Sequence, residues 1–386
     1  MGKKCKLSEL CDVRDGTHDS PEYVQEGYPL VTSKNIVDGR LDLTVVNYIS
    51  EKDYNHINER SKVDLGDIIM PMIGTIGNPH LIEAIPEFAI KNVALIKFPK
   101  SDVSNKFIYY FLQSDAFKTY VAENNRGGTQ KFLSLKDIRN MDIPALSYEK
   151  QLEICAVLDK VSELIDLRKE QLAKLDQLVK SRFIELFGTI HDNKFGYEIK
   201  TLQDVCEQIK DGTHQTPTYT DDSVNGYKFL SSKDVTTGRI DWTHLKYIPE
   251  ELHNELYARI APKKGDILLA KNGTTGIAAI VDRDEIFDIY VSLALLRPIE
   301  INSVYLWAAI NSAETKQQFD SSLKGIGVPN LHLGEIKKAR IIVPPIEQQQ
   351  EFAAFVVQTD KSKLAIQQSL DKLELLKKAM MQEYFG

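Results

Sequence analysis

The sequence predicts an α+β protein built as a tandem repeat with pseudo-twofold symmetry, in which a pair of long antiparallel, coiled-coil-like helices separates two strand-rich domains. Its motifs recur with a period near 198 residues. Each repeat opens with short apolar runs broken by Gly, Asn and Pro, and closes with about forty residues that contain neither Gly nor Pro. We therefore divide the chain as follows: 1–146, a first domain; 147–188, a central helix; 189–199, a linker; 200–345, a second domain; and 346–386, a C-terminal helix.

The duplication is visible in the order of the motifs. Asp15-Gly16-Thr17-His18 returns as Asp211-Gly212-Thr213-His214. Further matched segments keep the same order: Leu7–Asp12 with Leu202–Glu207, Ser33–Asp42 with Ser232–Asp241, Gly66–Ile69 with Gly265–Leu268, Gly74–Gly77 with Gly273–Gly276, and Phe187-Gly188 with Phe385-Gly386. Because the offset drifts only between 195 and 200, one unit has been duplicated in tandem.

The opening part of each repeat predicts strands joined by tight turns, together with one helix. The apolar runs that indicate strands are Asp67–Met70, Val93–Ile96, Asp266–Leu269 and Leu293–Leu296. A helix is predicted over Lys106–Val121 and over Ser303–Phe319. Each domain therefore mixes strand and helix within ~145 residues, an ordinary domain size.

The closing segments predict long helices with one apolar face. The inward positions of the first are Leu158, Val161, Ile165, Leu172, Leu175 and Val179, with Arg168 and Arg182 at the remaining positions. Those of the second are Phe352, Phe355, Ile366, Leu373, Leu376 and Met380, interrupted by Thr359 and Ser362. Roughly 37 residues at ~1.5 Å each reach ~55 Å, longer than a globular domain is wide, so we expect the helices to pair with each other.

Composition narrows the class of protein. The formal net charge of −7 is shared almost equally between the two halves, so any nucleic-acid contact must come from local patches or from a more basic partner. The chain has no apolar run of membrane length and no apolar segment at its start, and we expect a soluble cytoplasmic protein. Four cysteines without zinc-type spacing argue for free thiols.

A further set of motifs stands at the entry to each long helix. The first copy has Gly128-Thr129-Gln130 to Leu133-Ser134, then Ile143-Pro144 and Glu149-Lys150-Gln151; the second copy has Gly327–Leu331, Val343-Pro344-Pro345 and Glu347-Gln348-Gln349. In this repeated order the motifs resemble the specificity (S) subunit of Type I restriction-modification systems. Ala145 and Lys150 depart from the pattern of the second copy, at the start of the helix. The resemblance implies two target-recognition domains followed by spacer helices, and it implies as partners double-stranded DNA, two modification (methyltransferase) subunits and restriction (translocase/nuclease) subunits.

The Asp-Gly-Thr-His motif has three interpretations. We favour a turn, either structural or facing DNA, because Asp-Gly forms turns and Thr accepts backbone hydrogen bonds. A catalytic His with Asp as its orienting partner is an alternative, as is a metal contact, although no second ligand is matched nearby. We expect neither a metal site nor a cofactor.

Other loops contain polar residues suited to phosphates and base edges. The Gly-Thr-x-Gly loops are typical of a tight turn or of a close approach to phosphate. In the second repeat, Lys271-Asn272 just before the loop favours contact with DNA. The Ser-Lys-Asn and Ser-Lys-Asp loops are equally consistent with solvated turns. The candidate DNA-binding residues are Thr17, His18, Ser33, Lys34, Asn35, Thr75, Arg126, Thr129, Gln130 and Lys131 in the first repeat, and Thr213, His214, Ser232, Lys233, Lys271, Asn272, Thr274, Lys324, Asn330 and His332 in the second.

The sequence argues against an enzyme. The chain contains neither an Asn/Asp-Pro-Pro-Tyr/Phe methyltransferase motif nor a Pro-Asp nuclease start nor a Walker loop. We therefore expect no catalytic residue, with a protein-binding adaptor or a divergent stand-alone DNA-modifying enzyme as alternatives. Apolar helix residues outside the pairing face, Leu164, Leu178 and Ile184, are predicted to receive other subunits.

Overall fold

The computed structural model describes residues 3–74, 76–100, 102–124, 132–323 and 329–386. The strands of the first repeat are β1 Lys4–Lys6, β2 Asp12–Asp15, β3 Tyr23–Val24, β4 Tyr28–Val31, β5 Ile36–Val37, β6 Arg40–Leu41, β7 Asn47–Ile49, β8 Ile68–Pro71, β9 His80–Leu81, β10 Ala89–Ile90, β11 Val93–Lys97 and β12 Asp142–Pro144. Its helices are α1 Leu7–Leu10, α2 Glu51–Ser61, α3 Asn105–Phe111, α4 Asp115–Asn124, α5 Leu135–Arg139 and the long α6 Tyr148–Phe187.

The second repeat follows with the same kinds of element. Its strands are β13 Glu198–Thr201, β14 Cys206–Asp211, β15 Tyr227–Leu230, β16 Lys246–Ile248, β17 Ile267–Ala270, β18 Ala278–Ile280, β19 Phe287–Ile289, β20 Leu293–Pro298 and β21 Arg340–Val343. Its helices are α7 Glu250–Arg259, α8 Ser303–Ile310, α9 Ala313–Ser322, α10 Leu333–Lys338 and the long α11 Ile346–Phe385.

The two repeats have matching sheets, which confirms the predicted α+β duplication. The main sheet runs β2-β11-β8-β9 in the first repeat and β14-β20-β17-β18 in the second, antiparallel throughout. A second sheet runs β10-β4-β7-β3 and, in its counterpart, β19-β15-β16, with one parallel pair in each. A third, two-stranded sheet pairs β1 with β12 and β13 with β21.

The central strands are continuous apolar runs because they are buried on both faces. Side chains of a strand alternate between its faces, and here alternate residues enter different cores. Ile68 and Met70 pack with helices α3 and α4, whereas Ile69 packs with residues of β4 and β10. The second repeat does the same, with Leu269 in one core and Leu268 in the other.

The helix predicted over Lys106–Val121 is two helices, α3 and α4, and the helix predicted over Ser303–Phe319 is likewise α8 and α9. The break comes from a serine N-cap. Ser114 Oγ accepts a hydrogen bond from Phe117 N at 3.2 Å, and Ser312 Oγ accepts one from Thr315 N at 3.3 Å. Each serine starts a new helix while the apolar periodicity continues.

The chain forms two compact units whose boundaries fall inside the long helices: Met1–Lys169 with Gln368–Gly386, and Glu170–Gln367. In the first unit the start of α6 and the end of α11 run antiparallel, since Leu158 shares a core with Met381 and Lys169 pairs with Glu374 at 3.0 Å. In the second unit Val179 shares a core with Phe352. Each unit therefore combines one strand-rich domain with parts of both long helices.

Buried glutamines fasten the starts of the long helices to the strand-rich domains. Gln151 Oε1 accepts from Ser104 N at 2.9 Å, while its Nε2 donates to Leu146 O at 3.0 Å. Gln349 makes the same pair of bonds to Asn302 N and a proline carbonyl. The Glu-x-Gln signature thus has a physical role in joining helix to domain.

The seam predicted for α11 is wrong at one position. Leu376 is exposed, and the inward face passes instead through Leu370, Leu373 and Lys377. The Lys377 ammonium lies over the ring of Tyr110, 5.7 Å from its centroid. The stem of a lysine can cover apolar surface, which lets this residue occupy a seam position. Burial lowers the pKa of the Lys377 ammonium. No helix within the described ranges is both long and apolar enough to cross a membrane.

The last turn of α11 completes the core of the first unit, which we test by truncating Phe385. This side chain is buried, and its ring centroid lies 5.3 Å from that of Phe107 and 5.9 Å from that of Phe111. Phe385→Ala is expected to lower the free energy of unfolding by about 3–5 kcal/mol in chemical denaturation. Leu375→Ala, at an exposed position of the same helix, should change it by less than ~0.5 kcal/mol. Equal effects would contradict the packing.

Candidate nucleic-acid interface

The predicted polar loops of the first repeat meet at one edge of its sheets. They follow β2, β4 and β8, and the turn between β10 and β11 lies among them. The backbone bonds that join these segments are Gly16 N to Val93 O at 3.1 Å, Thr17 N to Ile90 O at 3.0 Å, Lys91 N to Val31 O at 2.8 Å and Leu133 N to Met72 O at 3.0 Å. This edge is the candidate interface of the repeat.

The buried carboxylate of Asp15 organises that edge. Arg60, at the end of α2, donates from Nη2 to Asp15 Oδ1 at 2.5 Å, and His18 donates from Nε2 to Oδ2 at 2.8 Å. The other ring nitrogen of His18 lies 2.8 Å from Asn92 Oδ1. Because both ring nitrogens face oxygen atoms, this arrangement orients the ring and favours its protonated form.

The second repeat builds the same centre with one more cation. Asp211 accepts from His214 Nε2 at 2.9 Å, from Arg259 Nη2 at 3.2 Å and from Lys271 Nζ at 3.2 Å. Burial alone would raise the pKa of Asp211, but its hydrogen bonds to Lys271 and His214 bring it below its ordinary value. The carboxylate therefore remains charged and keeps its three donors in place.

Contacts with Asn92 and Asp15 raise the pKa of His18, the bond to Asn92 being the larger cause. Because the folded-state pKa is raised, the stabilisation is complete below the unfolded value of about 6.5 and is lost as pH rises through the folded value. Asn92→Gly removes the amide but suits the left-handed backbone there, whose φ is +56°. We expect the His18 pKa to fall in this variant by NMR titration; an unchanged pKa would refute the bond.

The glycine of each Asp-Gly-Thr-His motif allows two backbones to meet. A Cβ on Gly16 would lie 2.3 Å from Ile90 O, and a Cβ on Gly212 would lie 2.1 Å from Ile289 O. Thr17 and Thr213 accept bonds from the backbone N–H two residues on, at 3.1 and 3.2 Å. The motif is therefore a turn that joins the two sheets.

We expect Gly212→Ala to be strongly destabilising, because the new methyl group would meet a carbonyl that the sheet holds in place. The expected loss in the free energy of unfolding is at least about 1–3 kcal/mol. Gly334→Ala is the matched control, since its Cβ would meet nothing within 4 Å and it lies in α10; helix propensity should raise stability there by up to ~1 kcal/mol. Thermal or urea unfolding of both variants decides the point, and a tolerated alanine at position 212 would contradict the close approach.

The Ser-Lys-Asn and Ser-Lys-Asp loops form short 3₁₀ turns with an exposed lysine. Asn35 differs from the expectation of an outward side chain: it is buried, its Oδ1 accepts from Thr32 N at 3.0 Å and its Nδ2 donates to two carbonyls. Asp234 has the equivalent role in the second repeat. Lys34 and Lys233 are exposed, with Ser33 and Ser232 half-buried beside them.

The Gly-Thr-x-Gly loops are tight turns in which all four glycines have positive φ, between +76° and +95°. Thr274 is exposed at the second loop, and His332 is exposed at the start of α10. Lys271 was expected to contact phosphate, but it is buried and bonds to Asp211 instead. Thr213, another candidate DNA contact, is buried as well. Asn272 and Asn330 face each other across an isolated antiparallel bridge.

Six candidate residues lie outside the described residues: Thr75, Arg126, Thr129, Gln130, Lys131 and Lys324. Of the predicted partner-binding residues, Leu164 is half-buried, whereas Leu178 and Ile184 are exposed, 48% and 52%. Among the residues that the structure describes, no group of three or more His, Cys, Asp or Glu side chains is placed to hold a metal ion.

Sequence reasoning missed several residues of this edge. Arg60 and Arg259, which hold the central carboxylates, lie in helices with no motif around them, although their separation of 199 matches the repeat. Lys91-Asn92 and the equivalent Tyr290-Val291 lie in a turn between two strand runs. Asn is a residue type that favours turns, and its place between two strand runs was the available sequence signal. The structure gives Asn92 the positive φ typical of such a turn.

The fold defines a duplicated α+β module with one polar loop edge in each repeat, and these two edges are the candidate interface. The family model described as the Type I restriction modification DNA specificity domain matches residues 3–177 and 195–375. The chain belongs to this family.

Curated relatives and solved structures of similar fold belong to the same type of restriction-modification system. The Type I restriction enzyme MjaVIII specificity subunit of Methanocaldococcus jannaschii is 22% identical over 379 residues, covering 93% of this chain and 85% of the relative. The crystal structure of a Type I S subunit from M. genitalium matches with a TM-score of 0.55, 16% identity and coverage of 100% and 96%. A chain from a structure concerning complex assembly and conformational transition of the type I R-M system matches with a TM-score of 0.60, 18% identity and coverage of 100% and 97%. At these identities the solved structures support the fold alone.

Proposed function

We propose that the chain is the non-catalytic, sequence-specific DNA-recognition subunit of a Type I restriction-modification complex. Each repeat reads one half of a bipartite, asymmetric target in double-stranded DNA. The observation that supports this most is that one scaffold occurs twice with different side chains at the same loop edge. Two different sets of side chains on one scaffold would read two different sequences.

Within each edge the described residues divide into scaffold and contact positions. Asp15, Asp211 and the glycines beside them hold the loops. The exposed Lys34 and Lys233 are suited to phosphates, because lysine is a mobile point charge that fixes position without reading sequence. His18, His214, Thr274 and His332 are exposed neighbours suited to base or sugar contacts.

The long helices set the unread spacer between the half-sites and dock two modification subunits. A 40-residue helix at ~1.5 Å per residue is about 60 Å long. The exposed Leu178 and Ile184, together with Leu164, offer apolar surface for a protein partner. Because the chain carries a net charge of −7, tight DNA binding needs positive charge from those partners.

Exchange of one domain tests the proposal. Residues 200–345 are replaced by the corresponding domain of a relative with a different target, and the complex is reconstituted with its modification subunits. Sequencing of the methylated DNA should show one half of the motif replaced and the other half retained, since each repeat has its own loop edge. The matched control replaces residues 1–146 and should change only the other half. A motif that keeps both halves in both exchanges would refute the proposal.

A further inference from the structure

At one matched position the two repeats share a backbone bridge but carry opposite side-chain chemistry. Ile73 bridges Phe132 in the first repeat, and Asn272 bridges Asn330 in the second. The adjoining backbone bond is the same in both, from Leu133 N to Met72 O at 3.0 Å and from Leu331 N to Lys271 O at 2.8 Å. An apolar pair in one repeat therefore corresponds to an amide pair in the other.

The amides contribute nothing that the bridge requires. Ile73 and Phe132 form the same bridge, although their hydrocarbon side chains have no group that donates or accepts a conventional hydrogen bond. The Oδ1 atoms of Asn272 and Asn330 are buried and lack a donor in the part of the chain that the structure describes. A buried carbonyl oxygen without a donor loses the hydrogen bonds it made to water, so the amide pair destabilises the fold. Both residues are half-buried, so rotation of a carboxamide can turn its oxygen toward the surface, where a donor from a ligand would satisfy it.

The position of the pair indicates which ligand this is. Asn272 follows Lys271, which bonds to the central carboxylate Asp211, and it precedes the turn that exposes Thr274. The pair is thus part of the candidate interface, not of the core. In the first repeat Phe132 is 39% exposed at the equivalent place.

We infer that this bridging pair is a specificity-determining position, at which the second repeat reads adenine and the first repeat reads an apolar base edge. The inference rests on the proposed function. A carboxamide matches the major-groove edge of adenine, because its oxygen accepts from the N6 amino group while its nitrogen donates to N7. Ile and Phe have no polar atom to offer and are suited to the methyl group of thymine.

Exchanging the pair tests the inference in the complex with modification subunits. Asn272→Ile with Asn330→Phe should reduce methylation roughly 5- to 150-fold at targets with adenine at one position of the second half-site, corresponding to the ~1–3 kcal/mol of a bidentate base contact. The first half-site should stay unchanged. The reciprocal Ile73→Asn with Phe132→Asn should alter one position of the first half-site only.

Two further variants make the result decisive. Lys233→Ala should lower methylation of all targets alike, since a phosphate contact carries no sequence information. Asn330→Ser changes less volume and should relax the same base position if the double variant folds poorly. If the wild-type complex methylates a bipartite motif and every variant of the pair retains it, the inference fails while the proposed function stands. If the wild-type motif is not bipartite, both fail.

Discussion

The structure depends on the burial of helix ends in strand-rich cores. Phe385, the last residue of α11, is buried with Phe107 and Phe111 in the core of the first unit. Phe187, the last residue of α6, is buried with Tyr305 and Phe352 in the core of the second. Aromatic side chains of this size contribute several kcal/mol each when fully buried. The first unit is thus completed by the C-terminal segment and is discontinuous in sequence, whereas the second unit is one continuous stretch of chain.

This constraint explains which motifs recur most clearly. Phe-Gly closes both repeats because the phenylalanine fills a core and the glycine ends the helix; Gly188 has φ of +73°. The Glu-x-Gln signature recurs because its glutamine bonds helix to domain. Asp-Gly recurs because its carboxylate accepts hydrogen bonds from cationic side chains and its glycine leaves room for a neighbouring backbone. All three motifs therefore recur because they hold the scaffold together.

Much of this organisation could be predicted from the sequence, because duplication and apolar periodicity are direct records of packing. The long helices begin at Tyr148 and Ile346, close to the predicted starts. The break between α3 and α4 could not be read from periodicity, because the apolar pattern continues across it. The break comes from Ser114, whose hydroxyl caps the start of α4. Leu376 was misplaced because a leucine is ordinarily preferred over Lys377 at a seam. The inward position of Lys271 depends on a hydrogen bond to Asp211, which is distant in sequence. Asn35 turns inward because its amide bonds to backbone groups of its own loop, which no pattern of residue types indicates.

The candidate interface differs from the scaffold in what the two repeats share. Residues that match between the repeats hold the loops, so their recurrence says that the fold is repeated and little about what it contacts. The informative positions are those where identical backbone geometry carries different side chains, as in Met72 against Lys271 and Ile73 against Asn272. A scaffold that tolerates an apolar pair and an amide pair at one bridge is free to vary there without loss of fold. That freedom is what a protein needs if its two halves are to recognise different sequences with one architecture.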